Sequence, residues 1–173
     1  LNNKEKDQLF DNFEDGGGVS FFQDRHLPIP LLNYSKGNIA LTSNFVMLNN
    51  FKIPIGLLEL IFYGNGGKPD LDMTLNLEIL GVNEFGYTFG IPFESISFGV
   101  TLKYLQGLFF MGIDPDSSSA NIITSDIGLY GGGKYLIRQG IGGKGFGLDL
   151  GMVTKEINGW TFGASMINVF GTI

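Results

Sequence analysis

From Leu71 onward the chain repeats with a period of two, and neither face of that repeat resembles an ordinary wetted surface. Leu71, Met73, Leu75, Leu77 and Ile79 alternate with Asp72, Thr74, Asn76 and Glu78. Phe85, Tyr87, Phe89 and Ile91 then oppose Glu84, Gly86, Thr88 and Gly90, and after Pro92 the residues Ile96, Phe98, Val100, Leu102 and Tyr104 oppose Ser97, Gly99, Thr101 and Lys103. The pattern returns with Phe146, Leu148, Leu150 and Met152 against Gly147, Asp149 and Gly151. It continues past Asn158-Gly159 with Trp160, Phe162, Ala164 and Met166 against Thr161, Gly163 and Ser165. Successive side chains of a strand point to opposite sides, so the alternation specifies an antiparallel meander, with Asn-Gly as a hairpin turn.

A soluble sandwich turns one face of each strand to bulk water and covers it with Lys, Glu, Arg and Asp. Here that face is mostly Gly, Ser and Thr with single charges, and charged residues are 16% of the chain against a usual figure of about 25%. A transmembrane β-barrel accounts for both faces. Bulky apolar side chains meet lipid, and small polar ones line an enclosed interior. The runs at 95–106 and 145–155 are long enough for the about 9 to 11 residues that a tilted strand needs to cross a bilayer. The expectation is an all-β fold, an antiparallel meander forming part of a transmembrane barrel with one or two short helices. A soluble β-sandwich or barrel binding module is the alternative fold.

The glycines also imitate nucleotide motifs. Gly128 to Lys134 approaches a Walker loop, but Tyr135 stands where Ser or Thr must hold magnesium. Gly140, Gly142 and Gly145 spell G-x-G-x-x-G, but the following residues have a strand period where a dinucleotide site needs a helix. In the barrel reading Gly131 to Gly133 form a loop, and Gly140 to Gly145 fill inward positions of a strand. The net charge of −6, without clustered Lys and Arg, argues against nucleic acid. There is no Cys, hence no disulfide and no thiolate chemistry, and no run approaches the about 20 apolar residues of a membrane helix.

The single domain expected over 1–173 divides into a short helix at 1–15, strands at 19–48, a short helix at 53–63 and the meander at 71–173. Leu9, Phe10 and Phe13 make the first helix amphipathic, and Gly16 to Gly18 end it. Pro54 and Gly64 punctuate the second as a helix, although a strand also fits its dense apolar text. Both chain ends are expected to be internal to a longer barrel.

Among candidate functional residues, His26 is the only histidine and has no triad partner in a recognisable motif. Asp114, Asp116 and Ser118 alternate like the start of a calcium loop but lack its glycine and distal Glu, and read as a hairpin tip. Glu84, Lys103 and Asp149 are the lumen-lining candidates, since a charge inside a barrel wall must be paired or wetted. They define either a polar path with affinity for a ligand head group or a structural network of opposite charges on neighbouring strands. Tyr104 and Trp160 are read as strand-end aromatics of a girdle, or as ordinary packing. No catalytic residue, metal or cofactor is expected, and the chain is read as non-enzymatic.

The phrases "LLELIFYGNG" (57–66), "SFGVTLKYLQGL" (97–108), "GKGFGLDLGMV" (143–153) and "WTFGASMINVFG" (160–171), with the opening "NNKEKDQLFDNF", resemble a bacterial outer-membrane barrel family, the DUF5723 or TraF-like group. That group is more distantly similar to PorV and to the FadL-type transporters of long-chain fatty acids. The resemblance implies a monomeric barrel of a dozen or more strands in the bacterial outer membrane. Its partners would be membrane lipids and a hydrophobic small molecule that it binds or passes. The alternative is a PorV-like structural or assembly role, in which loops hold a partner.

Overall fold

The structure is a computed structural model that describes residues 3–64, 70–125 and 127–172. It is mostly antiparallel β, with two helices and a sheet that curls as a half-barrel. The chain forms two compact units. The first comprises residues 1–23, 48–79 and 110–140, and the second 24–47, 80–109 and 141–173.

In the first unit, α1 (Asn3–Asp15) and α2 (Ile55–Tyr63) lie where the sequence expects helices. Gly17 at φ 62 donates its N–H to Glu14 O and ends α1. Pro54 keeps an extended ψ of 151° and stands at the N-cap of α2, so the strand before it runs through Ile53 and Pro54, and the helix begins two residues later than the sequence suggests. Gly64 closes α2 at φ 68. Phe10 meets Tyr63 edge-on at 5.2 Å, and the best-buried apolar residues of this unit are Phe10, Leu58 and Leu71. Gly56 lies directly over the Asp72 backbone, where a Cβ would overlap the Asp72 carbonyl oxygen.

The expected strand at 71–79 is divided. β4 (Asp70–Asp72) pairs with β7 (Ser119–Ser125), and β5 (Asn76–Pro92) starts only after a break. The cause is local. Asp72 Oδ1 accepts from both Thr74 N, at 2.8 Å, and Thr74 Oγ1, at 2.6 Å, and this side-chain turn replaces the ladder. β8 (Gly128–Lys134) pairs in full with β7, so Gly131 to Gly133 belong to a strand and not to a loop. The inward strand expected at 140–145 is likewise interrupted. Gly142 and Gly143, at φ 87 and 130, make the turn between β9 (Ile137–Ile141) and β10 (Lys144–Thr154).

The eight-stranded sheet follows the order β1 (Gly18–Pro28), β3 (Ile39–Pro54), β5, β6 (Ile96–Ile113), β10 and β11 (Gly163–Thr172), with β2 (Tyr34–Lys36) on β3 and β9 on β6. Residues 76–92 form one strand where the text divides into two runs. Asn158 and Gly159, at φ 52 and 83, make the expected hairpin turn, closed by Ile157 and Trp160.

The register keeps the two faces apart. On one side of β6 and β10, Phe98 faces Met152, Val100 faces Leu150, Leu102 faces Leu148 and Tyr104 faces Phe146. On the other, Gly99 faces Gly151, Thr101 faces Asp149 and Lys103 faces Gly147. A stacked sandwich core would enclose the bulky side, yet Leu102 is 59% and Phe146 61% exposed, whereas Lys103 is 4% exposed.

Candidate functional site

Lys103, in the middle of β6, has its ammonium on the enclosed face of the second unit. Its nitrogen lies 3.2 Å from Glu84 Oε2, 2.9 Å from Asp149 Oδ1 and 2.9 Å from Asn168 Oδ1. An ammonium has three N–H donors, and each has an acceptor here. Glu84 comes from β5 and Asp149 from β10, the strands on either side of β6. The three charged residues singled out in the sequence therefore meet in one cluster. It carries one net negative charge, since two carboxylates share one ammonium.

Two glycines lie beside the cluster. Gly147 is directly across from Lys103, with the position of a missing Cβ 3.5 Å from Lys103 Cβ and 3.7 Å from Cε, ordinary contact distances. Gly86 sits where a Cβ would overlap Thr42 Oγ1. Around the cluster, Thr88 and Thr101 share a hydroxyl hydrogen bond of 2.8 Å, and Asn44 Nδ2 reaches Glu84 Oε1 at 3.5 Å.

Asn168 is the member that the alternation did not reveal. Between Leu148 and Leu150 the β10–β11 register slips from Phe170 to Met166, so Ile167, Asn168 and Val169 bulge against Asp149 alone. Asn168 takes a left-handed φ of 55°, a conformation that Asn tolerates better than most residues. Its N–H donates to Asp149 Oδ1 at 2.7 Å while its side-chain oxygen accepts from Lys103. The slip also returns Phe170 and Met166 to the bulky face, so the bulge adds a polar ligand without inverting the strand.

On that bulky face, Phe85, Tyr104 and Phe146 form a row with centroid separations of 6.4 and 5.7 Å. Tyr104 is in the body of its strand and not at its end. Trp160 is at the hairpin and 70% exposed. A groove of about 550 Å³ runs beside the row, walled by Leu41, Tyr87 and Leu102 and floored at Gly86 and Gly147.

The other candidates stay apart from this cluster. His26 lies within β1, 3.0 Å from Asp24, with both side chains well exposed. Asp114 pairs with Arg138 at 2.8 Å and accepts from Ser117, beside a 3-10 turn at Pro115–Ser117. Ser118 accepts from Leu136 N, so Asp114 and Ser118 are both tied to neighbouring chain. Among the described residues no group of three or more His, Asp or Glu is placed to hold a metal ion.

The fold and cluster define a curled antiparallel sheet with a buried paired-charge cluster on one face and exposed aromatic residues on the other. No protein-family model, curated protein or solved structure matches the chain.

Proposed function

We propose that the chain forms part of the wall of a bacterial outer-membrane β-barrel, and that the parent barrel binds or passes small hydrophobic molecules. The observation that supports this reading is the reversed polarity of the second unit. Phe85, Leu102 and Phe146 are exposed on one side of strands whose other side encloses Lys103 with two carboxylates. A soluble protein loses solubility by displaying such a face, while a bilayer rewards it. β10 has 11 residues, matched to a tilted span of about 9 to 11.

The cluster acts in this reading as a structural brace. Lys103 has no N–H left to activate a substrate, so its role is to hold β5, β6, β10 and β11 in register. The groove beside Phe85, Tyr104 and Phe146 gives an apolar molecule a place on the wall. Its volume falls within the about 300 to 1,000 Å³ of ordinary ligand sites.

The test is fractionation of the intact parent protein, with gel migration compared before and after boiling. Membrane association and a heat-dependent shift are expected, and soluble, unshifted material would overturn the reading. Leu102→Lys gives an independent arm. A charge near the bilayer midplane on the lipid side costs about 2 to 4 kcal/mol, so detergent-assisted folding should fail or slow.

A PorV-like assembly role is the second reading. It is supported by the exposed Ile127, Leu129 and Tyr130 at the start of β8, outside the curled sheet. Saturable binding of a fluorescent fatty-acid analogue to the folded chain favours passage of hydrophobic molecules, and its absence favours assembly.

A further inference from the structure

A cavity of about 740 Å³ within the first unit is lined by one lysine and two aspartates that do not pair with one another. Lys52 comes from the end of β3, Asp70 and Asp72 from β4, and Ser119 and Asn121 from β7. Lys52 Nζ donates to Gly16 O at 3.1 Å and has no anionic partner among the described residues. Asp70 receives the Asn121 amide at 3.2 Å, and Asp72 receives the two Thr74 donors. Neither carboxylate has a cation among the described residues.

This arrangement is the reverse of the Lys103 cluster. There, opposite charges contact one another and all three donors of the lysine are used. Here, opposite charges share one cavity and each keeps unused capacity, which a ligand carrying both signs would complement. The lining has no aromatic side chain, so it offers no stacking platform for a sugar ring, and its apolar part is Pro54, Ile55, Pro115 and Ala120.

We infer that this cavity binds a zwitterionic small molecule, an amino acid or short peptide with free ends. The ligand carboxylate lies on Lys52 and its ammonium on Asp70 and Asp72. Hydroxyl and amide groups of Ser119 and Asn121 serve the peptide groups between. Every lining residue belongs to the first unit, so the inference is independent of the membrane reading and neither falls with the other.

Calorimetric titration of the full chain with triglycine tests it, beside N-acetyltriglycine amide, which lacks both end charges, and sorbitol. Triglycine should saturate with Kd below about 1 mM, and the blocked peptide should bind at least about tenfold more weakly. Lys52→Gln keeps a donor for Gly16, and Asp70→Asn keeps an acceptor for Asn121. Each should weaken triglycine about tenfold, with unchanged circular dichroism. No saturable triglycine heat by about 10 mM, equal affinity for the blocked peptide, tighter binding of sorbitol, or indifference to both substitutions would each overturn the assignment. If a variant fails to fold, the comparison of free and blocked peptide on the unaltered chain decides.

Discussion

Asn168 Oδ1 lies 2.9 Å from Lys103 Nζ across 65 residues of sequence, and the contact exists because β11 bulges at that point. The lysine is thereby fully coordinated without a water molecule. That completeness makes each member of the cluster expensive to remove.

Lys103→Met leaves Glu84 and Asp149 facing each other without a cation. Removing one partner of a buried pair typically costs about 3 to 5 kcal/mol. The triple change Lys103→Met, Glu84→Gln, Asp149→Asn, which removes all the charge, should be more stable than the single change. Chemical unfolding of the three proteins side by side checks this order.

At position 168 two effects separate. Asn168→Gly loses the side-chain acceptor but keeps the left-handed backbone, while Asn168→Val loses both. The glycine variant should be destabilised by about 1 to 3 kcal/mol for the unsatisfied donor. The valine variant should lose about a further 1 to 2 kcal/mol for the backbone conformation. A valine variant as stable as the glycine variant would remove the strain argument.

Gly56 and Gly147 should respond oppositely to alanine. At 147 a methyl group meets Lys103 and Asn168 at 3.5 to 3.7 Å, ordinary contact distances, so the change is expected to be near neutral. At 56 it overlaps the Asp72 carbonyl oxygen, so α2 must shift off β4 despite the better helix propensity of alanine. Limited proteolysis should release the α2 region of Gly56→Ala faster and leave the Gly147→Ala pattern unaltered.

Tyr63 donates to Asp7 Oδ1 at 2.7 Å, and this hydrogen bond, with the negative charges nearby, pushes its pKa from the usual 10.0 up to about 12. Because the folded-state value is raised, the linkage between α1 and α2 is fully present below pH 10 and is lost as pH climbs toward 12. Phenolate absorbance should show a late ionisation step, and Tyr63→Phe should abolish it.

Much of the sheet was legible because period-two alternation with oversized residues on one side leaves few other solutions. Phe98, Leu102 and Phe146 announced the exposed face, and the isolated charges at 84, 103 and 149 announced a common meeting place. The Asn158-Gly159 turn was readable from chemistry alone, since both residues need positive φ. Other features depend on tertiary geometry. Asn168 joins the cluster only through a bulge, and a bulge breaks the very arithmetic used to find strands. The break at Met73–Leu75 follows from where the Asp72 side chain turns, although the apolar text continues unbroken through it. β8 was missed because Gly131 to Gly133 have no side chains to alternate. Tyr104 looked terminal because the apolar alternation fades after it, yet β6 runs on to Ile113.

The saturation of Lys103 gives the molecule an internal clock for its own opening. An amine-reactive label in dilute solution will modify the exposed Lys134, Lys144 and Lys155 promptly, and Lys103 only when β6 parts from β5 and β10. The rate at which that one amine becomes modified therefore times the separation of the strands.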